Sequence, residues 1–131
     1  MKKCRFIYIS VLIAAVTACL SFVSCQKEGE KVVKIGLLHS TTGSMAFSEQ
    51  SVLNAELMAI EELNNSGGVL GCKIEAIQEN GESDANTFAR KAQKLIEEDN
   101  VVSIFGCWTS DSRKAVKTVV EENYNLLPCC S

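Results

Sequence analysis

The sequence lacks the short motifs that identify nucleotide-dependent enzymes. It contains no Gly-x-x-x-x-Gly-Lys-Ser/Thr phosphate loop, and no Gly-x-Gly-x-x-Gly follows its first predicted strand. Gly67, Gly68 and Gly71 instead flank the end of a predicted helix, where they are expected to make a turn. A nucleotide cofactor is therefore unsupported, and we expect the protein to use no cofactor.

Histidine is nearly absent, and the cysteines follow no metal-binding or disulfide pattern. His39 is the single histidine, and the seven cysteines include an adjacent pair near the end, Cys129 and Cys130. Because no Cys-x-x-Cys pair or second histidine is present, a metal site built from His39, Cys72 and Cys107 is not expected. Burial in the core is the expected role of Cys72 and Cys107.

A thiol enzyme is one alternative, because His39 and Cys107 both lie at the ends of predicted strands. A reactive thiolate needs a base within hydrogen-bond reach and a further group that orients the base. No acidic residue is placed by its spacing to orient His39. We therefore expect the protein not to be an enzyme.

The sequence also has no cluster of basic residues after its first few positions. From Cys25 onward it contains 10 basic and 16 acidic residues, a net charge of −6. Phosphate contacts need concentrated Lys and Arg, so nucleic acid is not an expected partner. Hydrophobic residues make up 47% and charged residues 22% of the chain, which indicates a folded protein with room for one domain.

Residues 1–24 have the pattern of a secretory signal peptide. A basic start over residues 2–5 precedes a mostly apolar run over residues 6–23, and polar residues follow. The run is about long enough to cross a bilayer, so a permanent transmembrane helix is the alternative. Polar residues within the run and a cysteine at its end favour a signal peptide.

Cys25 is the predicted lipidation site. The four residues that end at Cys25 (FVSC) resemble a bacterial lipobox, in which the cysteine thiol is acylated and becomes the new N-terminus. Cys19 is the alternative. We expect the acyl chains to anchor the exported protein at the cell membrane, with residues 25–31 as a polar tether and residues 32–131 as the folded part.

The apolar pattern after the tether alternates between strands and helices. Short apolar runs predict strands over residues 31–38, 73–78 and 101–105, and helical spacing predicts a helix over residues 48–64 and two later helices. Leu126 and Leu127 look like the start of a fourth strand. The order β-α-β-α-β-α-(β) predicts an α/β fold with a parallel sheet, and the continuous run at residues 101–105 is typical of a strand covered on both faces.

Apolar stripes and capping residues mark the three predicted helices. The expected inward residues are Leu53, Leu57, Ile60 and Leu63 in the first, Phe88, Ala92, Leu95 and Ile96 in the second, and Val116, Val119 and Val120 in the third. The expected caps are Gly67 and Gly68 at the end of the first helix, Ser83 or Asp84 at the start of the second, and Ser110 or Asp111 at the start of the third.

Ligands of parallel sheets bind outside the carboxyl ends of the strands. The loops at residues 39–44, 80–84 and 107–110 are expected there, and the third contains Trp108, the only tryptophan. An aromatic face offers apolar contact, while nearby hydroxyl groups and helix-terminal N–H groups bind polar atoms. Packing of Trp108 under a neighbouring loop is the alternative.

Four segments resemble one known family: residues 34–46 (KIGLLHSTTGSMA), 59–64 (AIEELN), 67–71 (GGVLG) and 105–110 (FGCWTS). They are similar to the type I periplasmic solute-binding proteins of branched-chain amino acid and amide ABC transporters, and most similar to the urea-binding branch. The resemblance implies two α/β lobes that close on a small solute, without chemistry.

The resemblance also implies the ligand, the partners and the site. The expected ligand is urea or a short-chain amide, with a branched-chain amino acid as the alternative, and the expected partners are permease subunits of an ABC importer. A ligand-sensing regulatory lobe of the same fold is a further alternative. The implied ligand-binding residues are Trp108, Thr109 and Ser110 after the third strand and, more weakly, Ser44, Met45 and Ala46 in the first loop.

Members of this family are longer than this sequence. Residues 128–131 do not match the continuation expected from the family, so the sequence predicts a truncated, frameshifted or fragmentary member that has part of the N-terminal lobe and no second lobe. Because small-molecule sites enclose most of the ligand surface, we expect very weak binding or none from residues 25–131 alone.

Overall fold

The computed structural model describes residues 31–128. The predicted signal peptide, both candidate lipidation cysteines and the pair Cys129 and Cys130 lie outside these residues. Strands and helices alternate in the order β1 (Val32–His39), α1 (Ala46–Asn65), β2 (Lys73–Asn80), α2 (Ala85–Glu97), β3 (Ile104–Gly106) and α3 (Ser110–Glu122). Within the described part, no helix is both long and apolar enough to cross a membrane.

The three strands form a parallel sheet with β1 in the middle. β1 pairs with β2 along its whole length, from Val32 beside Lys73 to His39 beside Asn80. On its other side β1 pairs with β3, through residues 36–38 and 104–106. The α/β fold with a parallel sheet, predicted from the alternating sequence pattern, is confirmed.

Helices α2 and α3 cover one face of the sheet. Phe88, Ala92 and Leu95 of α2 are buried, as are Val116 and Val120 of α3, in agreement with the predicted stripes. Their partners in the same cluster are Leu38, Val101, Ile104 and Cys107, with Ile96 and Val119 packed against it. Burial of a large apolar side chain stabilises a fold by roughly 1.5–3 kcal/mol, so this face holds most of the apolar stabilisation.

Helix α1 lies on the opposite face and covers it only in part. Leu53 is buried and Leu57 and Ile60 are half-buried, but Leu63 is 44% exposed. Leu63 faces the sheet as predicted but is not covered, because it lines an open groove of about 190 Å³ between α1 and the sheet. The groove is apolar and its lining includes Ile35, Leu37, Ile74 and Phe105.

The third strand is shorter than the sequence predicts. It covers Ile104–Gly106 rather than residues 101–105, and Val102 is 54% exposed. Val101 and Val102 precede the strand in irregular backbone, where Val101 is buried and Val102 is exposed, so the predicted strand is wrong over these two residues. Within β3, Ile104 packs in the cluster under α2 and α3 while Phe105 lines the groove under α1, so helices lie on both faces of this strand. The expected fourth strand is a single parallel bridge between Leu126 and Ser103, at the outer side of β3.

The end of α1 is capped as predicted. Gly67 and Gly68 both have positive φ, and their N–H groups donate to the carbonyl groups of Asn64 (3.2 Å) and Leu63 (2.8 Å). This pair of bonds is a Schellman motif, which satisfies carbonyl groups that the helix leaves without partners.

The starts of α2 and α3 differ in how well the sequence predicts them. Asp84 caps α2 as expected and accepts a hydrogen bond of 2.7 Å from the N–H of Thr87. The expected cap of α3 is wrong by one residue, because Thr109 and neither Ser110 nor Asp111 fills that position. Thr109 has the extended backbone of a capping residue, whereas α3 already begins at Ser110.

Candidate functional site

The carboxyl ends of the three strands meet at one edge of the sheet. We call this the loop edge, and we call residues 40–45, 81–84 and 107–109 its first, second and third loops. His39 at the end of β1 lies beside Asn80 at the end of β2, and Leu38 lies beside Gly106 at the end of β3. The three loops are therefore neighbours, as the topology predicts.

Side-chain hydrogen bonds join the first and second loops. The Asn80 side chain accepts from the N–H of Thr41 and donates to the hydroxyl of Thr42, both over 2.9 Å. The hydroxyl of Ser83 accepts from the N–H of Met45 over 3.0 Å. Because these bonds join two segments that are distant in sequence, the two loops form one surface.

The third loop leaves β3 through a sharply bent backbone. Gly106 has φ +121°, and a Cβ at this position would lie 2.0 Å from the carbonyl oxygen of Leu38, so only glycine fits. Cys107 follows in the left-handed region at φ 59°, which is uncommon for a residue with a side chain. Strained backbone of this kind costs free energy and often occurs at binding sites.

This bend places Trp108 at the surface. Its side chain is 56% exposed, so the alternative that it packs under a neighbouring loop is wrong. Trp108 and Ser110 line an open hollow of about 390 Å³ together with Arg113, Lys114 and Lys117 of α3. An exposed aromatic ring, a hydroxyl group and cationic side chains thus share one surface at the start of a helix.

Thr109 has a different position from its two neighbours. Its hydroxyl accepts from the N–H of Ser112 over 3.2 Å and donates to the hydroxyl of Ser112 over 2.8 Å. These bonds occupy the hydroxyl in capping α3. We therefore assign Thr109 to shaping the third loop and expect ligand contact from Trp108 and Ser110.

The weaker candidates in the first loop lie at the same edge. Ser44 is exposed, while Met45 and Ala46 are half-buried at the start of α1. Within residues 31–128, no recorded hydrogen bond joins these residues to the third loop. The two loops are connected through the sheet, where the N–H of Cys107 donates to the carbonyl oxygen of Leu38 over 3.1 Å.

Two acidic residues that the sequence reasoning missed contact His39. Nε2 of His39 lies 2.8 Å from a carboxylate oxygen of Glu56, and Nδ1 lies 3.6 Å from one of Glu49. The expectation that no acid orients His39 is therefore wrong. Glu49 and Glu56 are two helical turns apart on the same stripe as Leu53, so counting polar as well as apolar residues along the inward face of α1 would have found them.

Cys107 is buried beside this group, and its chemistry follows from the burial. Removal from water and, to a smaller extent, the negative charge of Glu49 raise the pKa of the Cys107 thiol to about 12, against the opposing charge of Arg113. A thiol with this pKa is protonated at neutral pH and is a poor nucleophile. The arrangement therefore does not favour a thiol enzyme, although an imidazole with carboxylate partners is present.

The expected burial of the two cysteines is met in part. Cys107 is fully buried as expected, but Cys72 is only half-buried, because it lies in the turn before β2 at the opposite edge of the sheet. His39, Cys72 and Cys107 therefore do not converge. Among the described residues, no group of three or more His, Cys, Asp or Glu side chains could hold a metal ion.

The parallel sheet with its exposed loop edge defines the class of the protein: an α/β lobe of the ligand-binding type. The chain belongs to the periplasmic binding protein domain family, whose sequence model matches residues 33–129. The fold matches the N-terminal lobe of the type I periplasmic binding fold. The resemblance seen in the sequence is thus confirmed at the level of the family.

Individual relatives agree with this assignment. The chain is 35% identical over 91 residues to the Leu/Ile/Val-binding protein homolog 7 of Brucella abortus. The aligned residues cover 68% of this chain and 22% of that protein. It therefore spans about a fifth of the length of this relative.

Solved structures show the same fold with different ligands. The branched-chain amino acid transporter substrate-binding protein LivJ of Streptococcus pneumoniae, in complex with isoleucine, superposes with a TM-score of 0.73 at 25% identity, covering 74% of this chain and 28% of LivJ. A second match is a solute-binding protein of an ABC transporter from Rhodopseudomonas palustris in complex with 3,4-dihydroxybenzoic acid. It superposes with a TM-score of 0.66 at 26% identity, and the match covers 75% of this chain and 26% of that protein.

Proposed function

We propose that this chain contributes one wall of the ligand cleft of a substrate-binding protein that serves an ABC importer for a small polar solute. The observation that carries the proposal is the position of Trp108, which is exposed on the loop edge next to the first turn of α3. Family membership and the names of the relatives support a transport role. The bound solute would be released to permease subunits after the cleft opens.

The first candidate ligand is urea or a short-chain amide. Support comes from the resemblance of the first loop and of residues 105–110 to the urea-binding branch. A neutral amide presents N–H donors and a carbonyl acceptor, which suit the hydroxyl of Ser110 and N–H groups at the start of α3.

A branched-chain amino acid is the second candidate. The name of the Brucella relative and the isoleucine bound to LivJ favour it. Its carboxylate would be attracted to the positive end of α3, and the hollow beside Trp108 carries three basic side chains. The dihydroxybenzoic acid complex shows that members of this fold class also take aromatic acids, so a ligand panel is needed.

The single tryptophan makes the ligand test direct. Urea, acetamide, isoleucine and 3,4-dihydroxybenzoate would be titrated into the isotopically labelled protein, with the indole N–H of Trp108 and the amide of Ser110 as NMR reporters. We expect one ligand class to shift both signals in the millimolar range, because the described loops enclose the ligand on one side only. Shifts confined to surfaces away from the loop edge, or none with any ligand, would contradict the proposal.

A pair of serine variants controls this experiment. Ser110→Ala removes the hydroxyl at the start of α3, whereas Ser51→Ala removes an exposed hydroxyl from the second turn of α1. We expect Ser110→Ala to weaken binding severalfold and Ser51→Ala to leave it unchanged. Equal effects would show that the hydroxyl of Ser110 does not contact the ligand.

We also propose that the protein is exported and lipid-anchored through Cys25, with Cys19 as the alternative. β1 runs about 25 Å from its first residue to the loop edge, so the segment that precedes Val32 joins the domain at the edge opposite the ligand loops. Incorporation of labelled palmitate in a bacterial host should be lost in Cys25→Ser and kept in Cys19→Ser. The reverse result would move the anchor to Cys19.

A further inference from the structure

Glu49 has an environment that is unusual for a carboxylate. It lies in the first turn of α1, and its side chain is fully buried, which is rare for an acidic residue. The positive end of the helix dipole favours a negative charge there, but burial of a charge still costs free energy unless partners replace the lost water. The partners of Glu49 therefore indicate what it does.

The side chain of Glu49 holds the start of the first loop, and its backbone belongs to the helical turn where the loop ends. One carboxylate oxygen accepts a hydrogen bond of 2.7 Å from the N–H of Ser40, where the loop begins. The backbone N–H of Glu49 donates to the carbonyl oxygen of Met45, where the loop ends, over 3.0 Å. A bond from a backbone N–H to a carboxylate is stronger than one between neutral groups, so the contact with Ser40 is the firmer of the two.

Glu49 also contacts the end of β1. Its carboxylate lies 3.6 Å from Nδ1 of His39, and Glu56 holds the other ring nitrogen of His39. The charge of Glu49 reaches Cys107 of the third loop, where it adds to the effect of burial on the thiol. One carboxylate of α1 thus contacts the end of β1 and the start of the first loop.

The second carboxylate oxygen of Glu49 and Nδ1 of His39 are buried without hydrogen-bond partners in the described structure. A buried polar atom without a partner is costly, and well-packed apolar residues often stabilise such positions equally well or better. A role in stability alone therefore does not account for Glu49.

We propose that Glu49 is a positioning residue of the ligand cleft, whose buried carboxylate fixes the first loop so that Ser44, Met45 and Ala46 are in place for the ligand. The part of this inference that concerns the ligand rests on the function proposed above. The part that concerns the loop is testable without any ligand.

The first test measures amide hydrogen exchange in the labelled, ligand-free protein. Glu49→Gln keeps the shape and an acceptor oxygen but removes the charge, and Glu49→Ala removes the acceptor as well. We expect the Ser40 amide to exchange at least about tenfold faster in Glu49→Ala and to be partly protected again in Glu49→Gln, with changes confined to the first and third loops. Glu61→Gln, an exposed change on the same helix, should alter nothing.

Two results would overturn the positioning role. Unchanged exchange at Ser40 in both variants would show that the carboxylate does not hold the loop. A uniform increase in exchange throughout the protein would show that Glu49 only stabilises the fold. If Glu49→Ala does not fold, the same comparison between Glu49→Gln and Glu61→Gln decides the matter.

The second test adds the ligand that shifts Trp108 most strongly. We expect Glu49→Gln to bind it about tenfold more weakly while its melting temperature stays close to that of Glu61→Gln. Unchanged affinity in Glu49→Gln would overturn the ligand part of the inference. If the unsubstituted protein binds no ligand, the proposed function fails, and the exchange experiment still decides whether Glu49 positions the loop.

Discussion

The side-chain amide of Asn80 donates a hydrogen bond of 2.9 Å to the hydroxyl of Thr42, across the two loops that follow β1 and β2. The oxygen of the same amide accepts from the N–H groups of Thr41 and Glu82, both over 2.9 Å. The side chain of Asn80 at the end of β2 therefore forms one hydrogen bond within the second loop and two with the first loop. Asn80 thus shares with Ser83 the hydrogen bonds that hold this part of the loop edge in shape.

We predict that Asn80→Ala destabilises the protein by about 0.5–1.5 kcal/mol, because it removes the bonds to two exposed backbone N–H groups, which water can replace in part. Thr42→Val removes only one bond and should cost less, about 0.5 kcal/mol. Unfolding in guanidinium chloride measures both changes; urea is unsuitable because it is a candidate ligand. Equal losses in the two variants would show that the bonds to Thr41 and Glu82 contribute little.

The bend at Gly106 gives a second prediction. Gly106→Ala places a methyl group against the carbonyl of Leu38 and forces a side chain into a left-handed conformation, so we expect a loss of at least about 3 kcal/mol. Gly71→Ala is the matched control, since Gly71 also has positive φ but open space around its Cβ position, and it should cost about 1 kcal/mol. Thermal unfolding of the two variants checks the difference, and similar melting temperatures would contradict the close approach.

Glu79 gives a prediction on acid stability. Burial alone would raise the pKa of Glu79, but hydrogen bonds and charge interactions with Lys91 (2.6 Å) and Lys94 (2.8 Å) outweigh it and lower the pKa below 4.5. A carboxylate with a lowered pKa in the folded state stabilises the protein above its unfolded pKa, and that contribution is lost as the pH falls.

Glu79→Gln should therefore lower the free energy of unfolding by about 0.5–1 kcal/mol at neutral pH. In acid the variant and the unsubstituted protein should become more nearly equal in stability. Melting temperatures measured from neutral pH to below pH 4.5 test this. Glu75→Gln, an exposed change on the same strand, serves as the control and should show no such trend. A difference that stays constant with pH would contradict the ion pairs.

The fold could be predicted from the sequence because its strongest signals are periodic and local. The apolar stripes of α2 and α3 and the glycines after α1 each specify their structure within a few residues. The exposure of Leu63 could not be predicted in this way, because it depends on how completely α1 covers the second face of the sheet. That is a property of the assembled layers and not of the helix sequence.

The candidate site was predictable only where topology decides it. Parallel strands place Trp108 and Ser110 at the loop edge whatever the side chains do. The contacts of His39 with Glu49 and Glu56 depend on how α1 is rotated on the sheet, so a search for apolar residues alone did not find them. Glu49 and Glu56, polar residues on the inward stripe of Leu53, are the signal of these contacts in the sequence.

The burial of Cys107 leads to a last prediction, on its reactivity and on alkaline stability. Its pKa is raised from 9.0 to about 12, so a thiol-alkylating reagent at mildly alkaline pH should modify half-buried Cys72 and leave Cys107 unmodified until the protein unfolds. Mass spectrometry of digested protein measures both sites.

The same buried thiol makes stability depend on alkaline pH. Because the thiol of the unfolded protein ionises first, the unfolded state releases a proton that the folded state keeps, and the free energy of unfolding should fall as the pH rises from about 9 toward 12. Cys107→Ala lacks this thiol and should lose less stability over the same range, whereas Cys72→Ala should behave like the unsubstituted protein. Rapid alkylation of Cys107 in the folded state would contradict its burial and make thiol chemistry at the loop edge worth testing again.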